Sequence, residues 1–73
     1  MSWNYRVVKR TWDTGETEFA IYEVHYGEDG KPIGVTSEAV SLHGDTFSEL
    51  CLAGKSYVSA MYKPVLDWED LVK

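Results

Sequence analysis

Cysteine is nearly absent from this chain, and so is any long apolar run. The single Cys51 cannot close an internal disulfide, so the usual staple of small secreted domains is excluded and a reducing compartment is expected. No stretch approaches the ~20 apolar residues of a membrane span. The opening Met1-Ser2-Trp3-Asn4 is unlike the basic and apolar run of a signal peptide. A cytoplasmic, soluble protein with no membrane partner is therefore expected. Basic residues are scarce as well. Seven Lys and Arg against twelve Asp and Glu give a net charge of −5, which opposes the counterion release that drives nucleic-acid binding. Nucleic acid is not an expected partner.

Motifs that carry chemistry are also missing. There is no glycine-rich phosphate loop, no Gly-x-Ser-x-Gly elbow and no repeat or low-complexity segment. His25 and His43, even joined with Glu23, Glu38 and Asp45, match no zinc spacing. Cys51 falls on the apolar stripe of an expected helix, where a thiol serves as a small filler. The basic cluster Arg6, Lys9 and Arg10 faces Glu16, Glu18 and Glu23 in an expected hairpin, which favours cross-strand ion pairs over a phosphate-binding stripe. No catalytic residue, cofactor or metal is expected, and the chain is not expected to be an enzyme.

What the chain does have is apolar surface: 44% hydrophobic residues and ten aromatics in 73 positions, one domain spanning 1–73. Phe19 to Tyr26 reads as the middle strand of a small antiparallel sheet. Asp29-Gly30 supplies the positive-φ pair of a type I′ hairpin, which sets Glu28 against Lys31, Tyr26 against Ile33, Val24 against Val35, Tyr22 against Ser37 and Ala20 against Ala39. Upstream, Thr14-Gly15 at a hairpin tip sets Val7 against Tyr22, Tyr5 against Val24 and Trp3 against Tyr26. A Gly15 bulge that shifts the first strand by one residue is the alternative. The favoured register makes Trp3, Tyr5, Val7, Ala20, Tyr22, Val24, Tyr26, Ile33, Val35 and Ala39 the core face. It places Arg6 against Glu23 and Thr36 on the other face, with Val8, Phe19, Ile21 and Val40 nearby.

The first strand is expected over Trp3 to Thr11 and the third over Ile33 to Leu42. Gly44-Asp45-Thr46-Phe47-Ser48-Glu49 carries a helix capping box. The apolar spacing then turns helical, with Phe47, Leu50, Cys51, Gly54, Tyr57, Val58, Met61 and Tyr62 in one stripe expected to cover the core face. Gly54 inside that stripe implies either close approach to a ring such as Tyr22 or Trp3, or a kink. Pro64 ends the helix. Val65-Leu66 then suits a short edge strand or apolar tie, and Asp67 a helical N-cap. The expected fold class is α+β: a three-stranded antiparallel meander with one helix on one face, β-β-β-α, and a short C-terminal strand or helical turn.

The Trp3-Asn4-Tyr5-Arg6-Val7-Val8 opening, the Ile21-x-Glu23-Val24-x-Tyr26 strand, the Glu28-Asp29-Gly30 turn and the Lys63-Pro64-Val65-Leu66-Asp67 tail look like a small uncharacterised bacterial protein family. That resemblance covers nearly the whole chain and implies no particular activity. A looser similarity, through the β-β-β-α order and Gly44, Thr46 and Glu49, is to the N-terminal domain of HicB-type antitoxins. It implies an acidic inhibitor of a basic nuclease toxin, although this chain lacks a DNA-binding C-terminal module. The leading expectation is a small non-enzymatic module that forms a homodimer or binds an unidentified protein through the sheet face opposite the helix. Val8, Phe19, Ile21 and Val40 would form that interface. Trp12, at the hairpin tip, either folds back on the sheet edge or joins the contact.

Overall fold

The computed structural model describes residues 2–72. Two long strands, β1 (Ser2–Thr11) and β2 (Thr17–Tyr26), are followed by a short β3 (Pro32–Val35), a helix α1 (Phe47–Ala60), a two-residue β4 (Leu66–Asp67) and a single helical turn α2 (Trp68–Leu71). The fold is α+β, and its sheet has four strands in the order β3-β2-β1-β4. The sheet is mixed, because β4 runs parallel to β1 with Leu66 beside Val8 and Asp67 beside Lys9. The expected three-stranded meander thus gains an edge strand from the tail. That tail provides both the short strand and the helical turn.

The two hairpin tips share one geometry. At the first, the Gly15 amide donates to the Trp12 carbonyl and the Trp12 amide to the Glu16 carbonyl, both at 2.8 Å; at the second, Gly30 donates to Gly27 and Gly27 to Lys31, both at 3.0 Å. Gly15 and Gly30 have φ of +90° and +79°, and among the described residues no other residue type has positive φ. Each tip is thus a tight turn closed by a glycine bulge. A type I′ turn needs two positive-φ residues, which the β-branched Thr14 resists. Asp29 instead caps its own turn, its Oδ1 accepting from the Lys31 amide at 3.0 Å.

These bulges decide which side chains face which way. In the first hairpin the extra residue is never compensated, so Val8 pairs with Ala20, Arg6 with Tyr22 and Asn4 with Val24. Relative to the favoured register every β1 side chain changes face. In the second hairpin a further irregularity lets Tyr26 pair with Pro32 and His25 with Gly34, which restores Val24 opposite Val35. Ile33 is the residue absorbed there, and it lies exposed rather than in the core. Arg6 and Glu23 consequently stand on opposite faces and form no cross-strand pair.

Beyond Val35 the expected third strand is interrupted. The Thr36 amide still reaches the Glu23 carbonyl (3.1 Å), but the next bond to β2 comes from Val40 to Ile21 (2.8 Å). Between them Ser37 to Ala39 loops out. Thr36 Oγ1 donates to the Glu38 carbonyl and Arg10 Nη1 to the Ser37 carbonyl, both at 3.1 Å, so the excursion has its own polar partners. The expected pairs Tyr22–Ser37 and Ala20–Ala39 do not form, and Ala39 is exposed.

The core lies on the sheet face that carries Val8, Tyr22 and Val24, all but inaccessible to solvent. Leu71 of α2 joins them, with Leu66 and Trp68 packed alongside. Full burial of each such side chain stabilises the fold by about 1.5–3 kcal/mol. Pro64 turns the chain off α1 and Arg6 Nη2 donates to its carbonyl at 2.6 Å, which helps hold the tail against β1. Asp67 then caps α2, its carboxylate accepting from the Glu69 amide at 3.1 Å. The face expected to lie under α1 is therefore closed by the tail instead. The molecule is a slab of 37 × 35 × 20 Å with a radius of gyration of 13.1 Å, against about 11 Å for an ordinary folded chain of this length.

Candidate interaction surface

Helix α1 starts where the capping box predicts. Thr46 Oγ1 accepts from the Glu49 amide at 3.1 Å, while Glu49 Oε2 accepts from the Asp45 amide at 2.9 Å. Gly44 is required by close approach, since a Cβ there would stand 2.5 Å from the Leu50 nitrogen. The helix then runs unbroken to Ala60 across the sheet face that bears Trp3, Tyr5, Phe19 and Ile21. Tyr57 meets Tyr5 edge to face, with ring centroids 4.9 Å apart at 87°, and its hydroxyl donates to the Ser41 carbonyl at 3.3 Å. Trp3 extends the cluster on Tyr5 at 5.2 Å and 81°. Partial burial, with Tyr57 and the Glu23 carboxylate nearby, holds the Tyr5 phenol above the tyrosine value of 10.0.

The helix is rolled relative to its apolar stripe. Leu50, Ala53, Gly54, Tyr57 and Ala60 are its more buried positions, and only Ala60 is fully enclosed. Four members of the stripe are exposed to solvent instead: Phe47 at 79%, Val58 at 49%, Met61 at 63% and Tyr62 at 87%. Cys51 is exposed with them. Gly54 neither kinks the helix nor abuts a ring, for nothing lies within 4 Å of a Cβ built on it. An interior glycine that no neighbour requires costs about 1 kcal/mol relative to alanine.

Beside this stripe, Val58, Met61, Phe19, Ile21, Val40 and Leu42 border an open groove of about 410 Å³ between α1 and the sheet. Three of the sequence-predicted interface residues, Phe19, Ile21 and Val40, therefore come together here, on the side α1 occupies. Val8 does not join them. It is wholly buried on the opposite face because the glycine bulge inverted β1. Trp12 is also elsewhere: its ring lies 3.9 Å from the Arg10 guanidinium, whose other side meets Trp68 at 3.8 Å. Arg10 also donates to the Tyr22 hydroxyl at 3.4 Å, so this stack fastens the tip and α2 to the core face.

Sequence reasoning missed Leu42, Val58, Met61, Phe47 and Tyr62 as surface residues. A signal was present, because the apolar arc of α1 is wider than one side of a narrow sheet can cover. Among the described residues no three His, Cys, Asp or Glu side chains group so as to hold a metal ion, and no helix is long and apolar enough to cross a membrane. No protein family, curated protein or solved structure matches this chain.

Proposed function

We infer that this chain is a small non-enzymatic interaction module that docks a protein partner on the α1 side of its sheet. One observation carries the inference: the groove walled by Phe19, Leu42, Val58 and Met61 is continuous with the exposed apolar stripe of α1. A contiguous apolar patch of this kind on a soluble domain marks an interaction site. The groove wall and the stripe carry no charged side chain, so recognition would rest on apolar burial and survive high salt. An acidic inhibitor of a basic site would release its partner instead. In the acidic tail Asp67-Trp68-Glu69-Asp70, which such an inhibitor could present, Asp67 is already engaged as the cap of α2.

Met61→Lys and Leu42→Lys test this. Both residues are mostly exposed, so at concentrations dilute enough to keep the chain monomeric each variant should keep the wild-type far-ultraviolet circular dichroism and melting temperature while losing most of the fluorescence of an apolar dye bound by the wild type. Loss of folding in these variants would mean that the groove is part of the core in solution, and the inference would fail.

A further inference from the structure

The stripe on α1 has a symmetry that points to its occupant. Its members Phe47, Cys51, Gly54, Val58, Met61 and Tyr62 are disposed almost evenly about Gly54. Bulky side chains, Phe47 on one side and Met61 and Tyr62 on the other, stand two turns out, the smaller Cys51 and Val58 stand one turn out, and no side chain stands at the centre. A two-fold interface requires a surface complementary to itself. Two such helices laid antiparallel would set Phe47 of each against Met61 and Tyr62 of the other, Cys51 against Val58, and Gly54 near Gly54.

We propose that a second copy of this chain covers the stripe, the two α1 helices crossing antiparallel about a two-fold axis at Gly54. The proposal rests on the α1 side being a docking surface and adds what docks there. Closest approach of two helices at Gly54 gives that residue the function it lacks in one chain, where its Cβ position faces open space.

The exposed area agrees. The chain exposes 5358 Å², whereas a folded monomer of 8.3 kDa exposes about 4,600 Å². The excess, about 800 Å², equals what each partner buries in an interface of standard size. The stripe and groove wall hold enough apolar surface to account for it, since a whole aromatic side chain alone covers roughly 150–250 Å². The stripe's neutrality also lets two chains of charge −5 meet without opposing like charges at the contact.

Sedimentation equilibrium of the untagged wild type, Gly54→Leu and Val58→Glu, with apolar-dye binding measured in parallel, tests the proposal. The wild type should sediment at twice the 8.3 kDa chain mass. Both variants should sediment at the chain mass under the same conditions, with self-association weakened at least tenfold. Gly54→Leu raises helix propensity, so its loss of association cannot be ascribed to failure to fold. With Val58→Cys, mild oxidation should link Cys51 of one copy to the new thiol of the other. A wild-type dimer that both variants leave intact would overturn the α1 crossing. A monomeric wild type that binds the dye would overturn the second copy and leave the docking surface standing. A monomer that binds no dye would overturn both.

Discussion

Replacing Val8 with alanine tests the inverted β1 register directly. Val8 is fully buried against Tyr22, Val24 and Leu71 and lies between Ala20 on β2 and Leu66 on β4. The substitution removes two methylene equivalents at about 0.8 kcal/mol each. The cavity left adds roughly 0.5–1 kcal/mol, because strands pinned on both sides collapse little. The total is about 2–2.5 kcal/mol. For a domain of this size that lowers the melting temperature by roughly 10–18 °C. With a urea dependence near ~1 kcal/mol/M, the urea midpoint falls by about 2 M. Val7→Ala is the control: Val7 is half-buried on the α1 side, and its truncation should cost under about 1 kcal/mol. Urea denaturation followed by circular dichroism measures both. If Val7→Ala destabilised the protein more than Val8→Ala, the uncompensated bulge at Gly15 would be wrong, and with it the placement of the core.

Gly15→Ala forces an alanine to φ near +90° and should lower stability by about 1–2 kcal/mol; an unchanged urea midpoint would mean that the tip is not a glycine bulge. Arg10→Ala removes the cation held between Trp12 and Trp68 and should cost about 1–2 kcal/mol with a change in tryptophan fluorescence. Arg10→Lys should recover little of either, because an ammonium lacks the planar face that stacks on both rings. At alkaline pH the raised Tyr5 pKa means that the fold favours the neutral phenol. Its contribution is complete below the unfolded value of 10.0 and is lost as pH rises through the higher folded value. Tyr5→Phe should therefore flatten the alkaline fall of the urea midpoint, and an identical fall in the two proteins would refute the role given to Tyr5.

Much of the architecture was legible locally. The capping box placed the start of α1 and Asp67 acts as the cap of α2 as its type suggests, because each of these acts over three or four residues; α1 itself ends at Ala60, a turn ahead of Pro64. Alternation of apolar and polar residues located β1 and β2, and the pairing of Val24 with Val35 held. The α+β class followed from these elements alone. Of the candidate surface, Phe19, Ile21 and Val40 were legible as apolar positions on the Phe19–Ile21 side of β2.

Tertiary structure decided what those elements do to one another. Both tips turned out to be glycine bulges of the same form, and only a second irregularity near Tyr26 separated the hairpin that kept its register from the one that lost it. No local preference distinguishes Val7 from Val8 as the core residue. That choice depends on whether a bulge is compensated along the whole ladder and on which face the tail finds to cover. Once Leu66, Trp68 and Leu71 close the Val8 face, α1 is left with the other, and the sheet can bury only part of its broad apolar arc. Periodicity states that a residue belongs to a stripe; it carries no information about which side of the stripe another surface reaches. Phe47, Val58, Met61 and Tyr62 are therefore exposed for a reason that lies in the packing of distant segments.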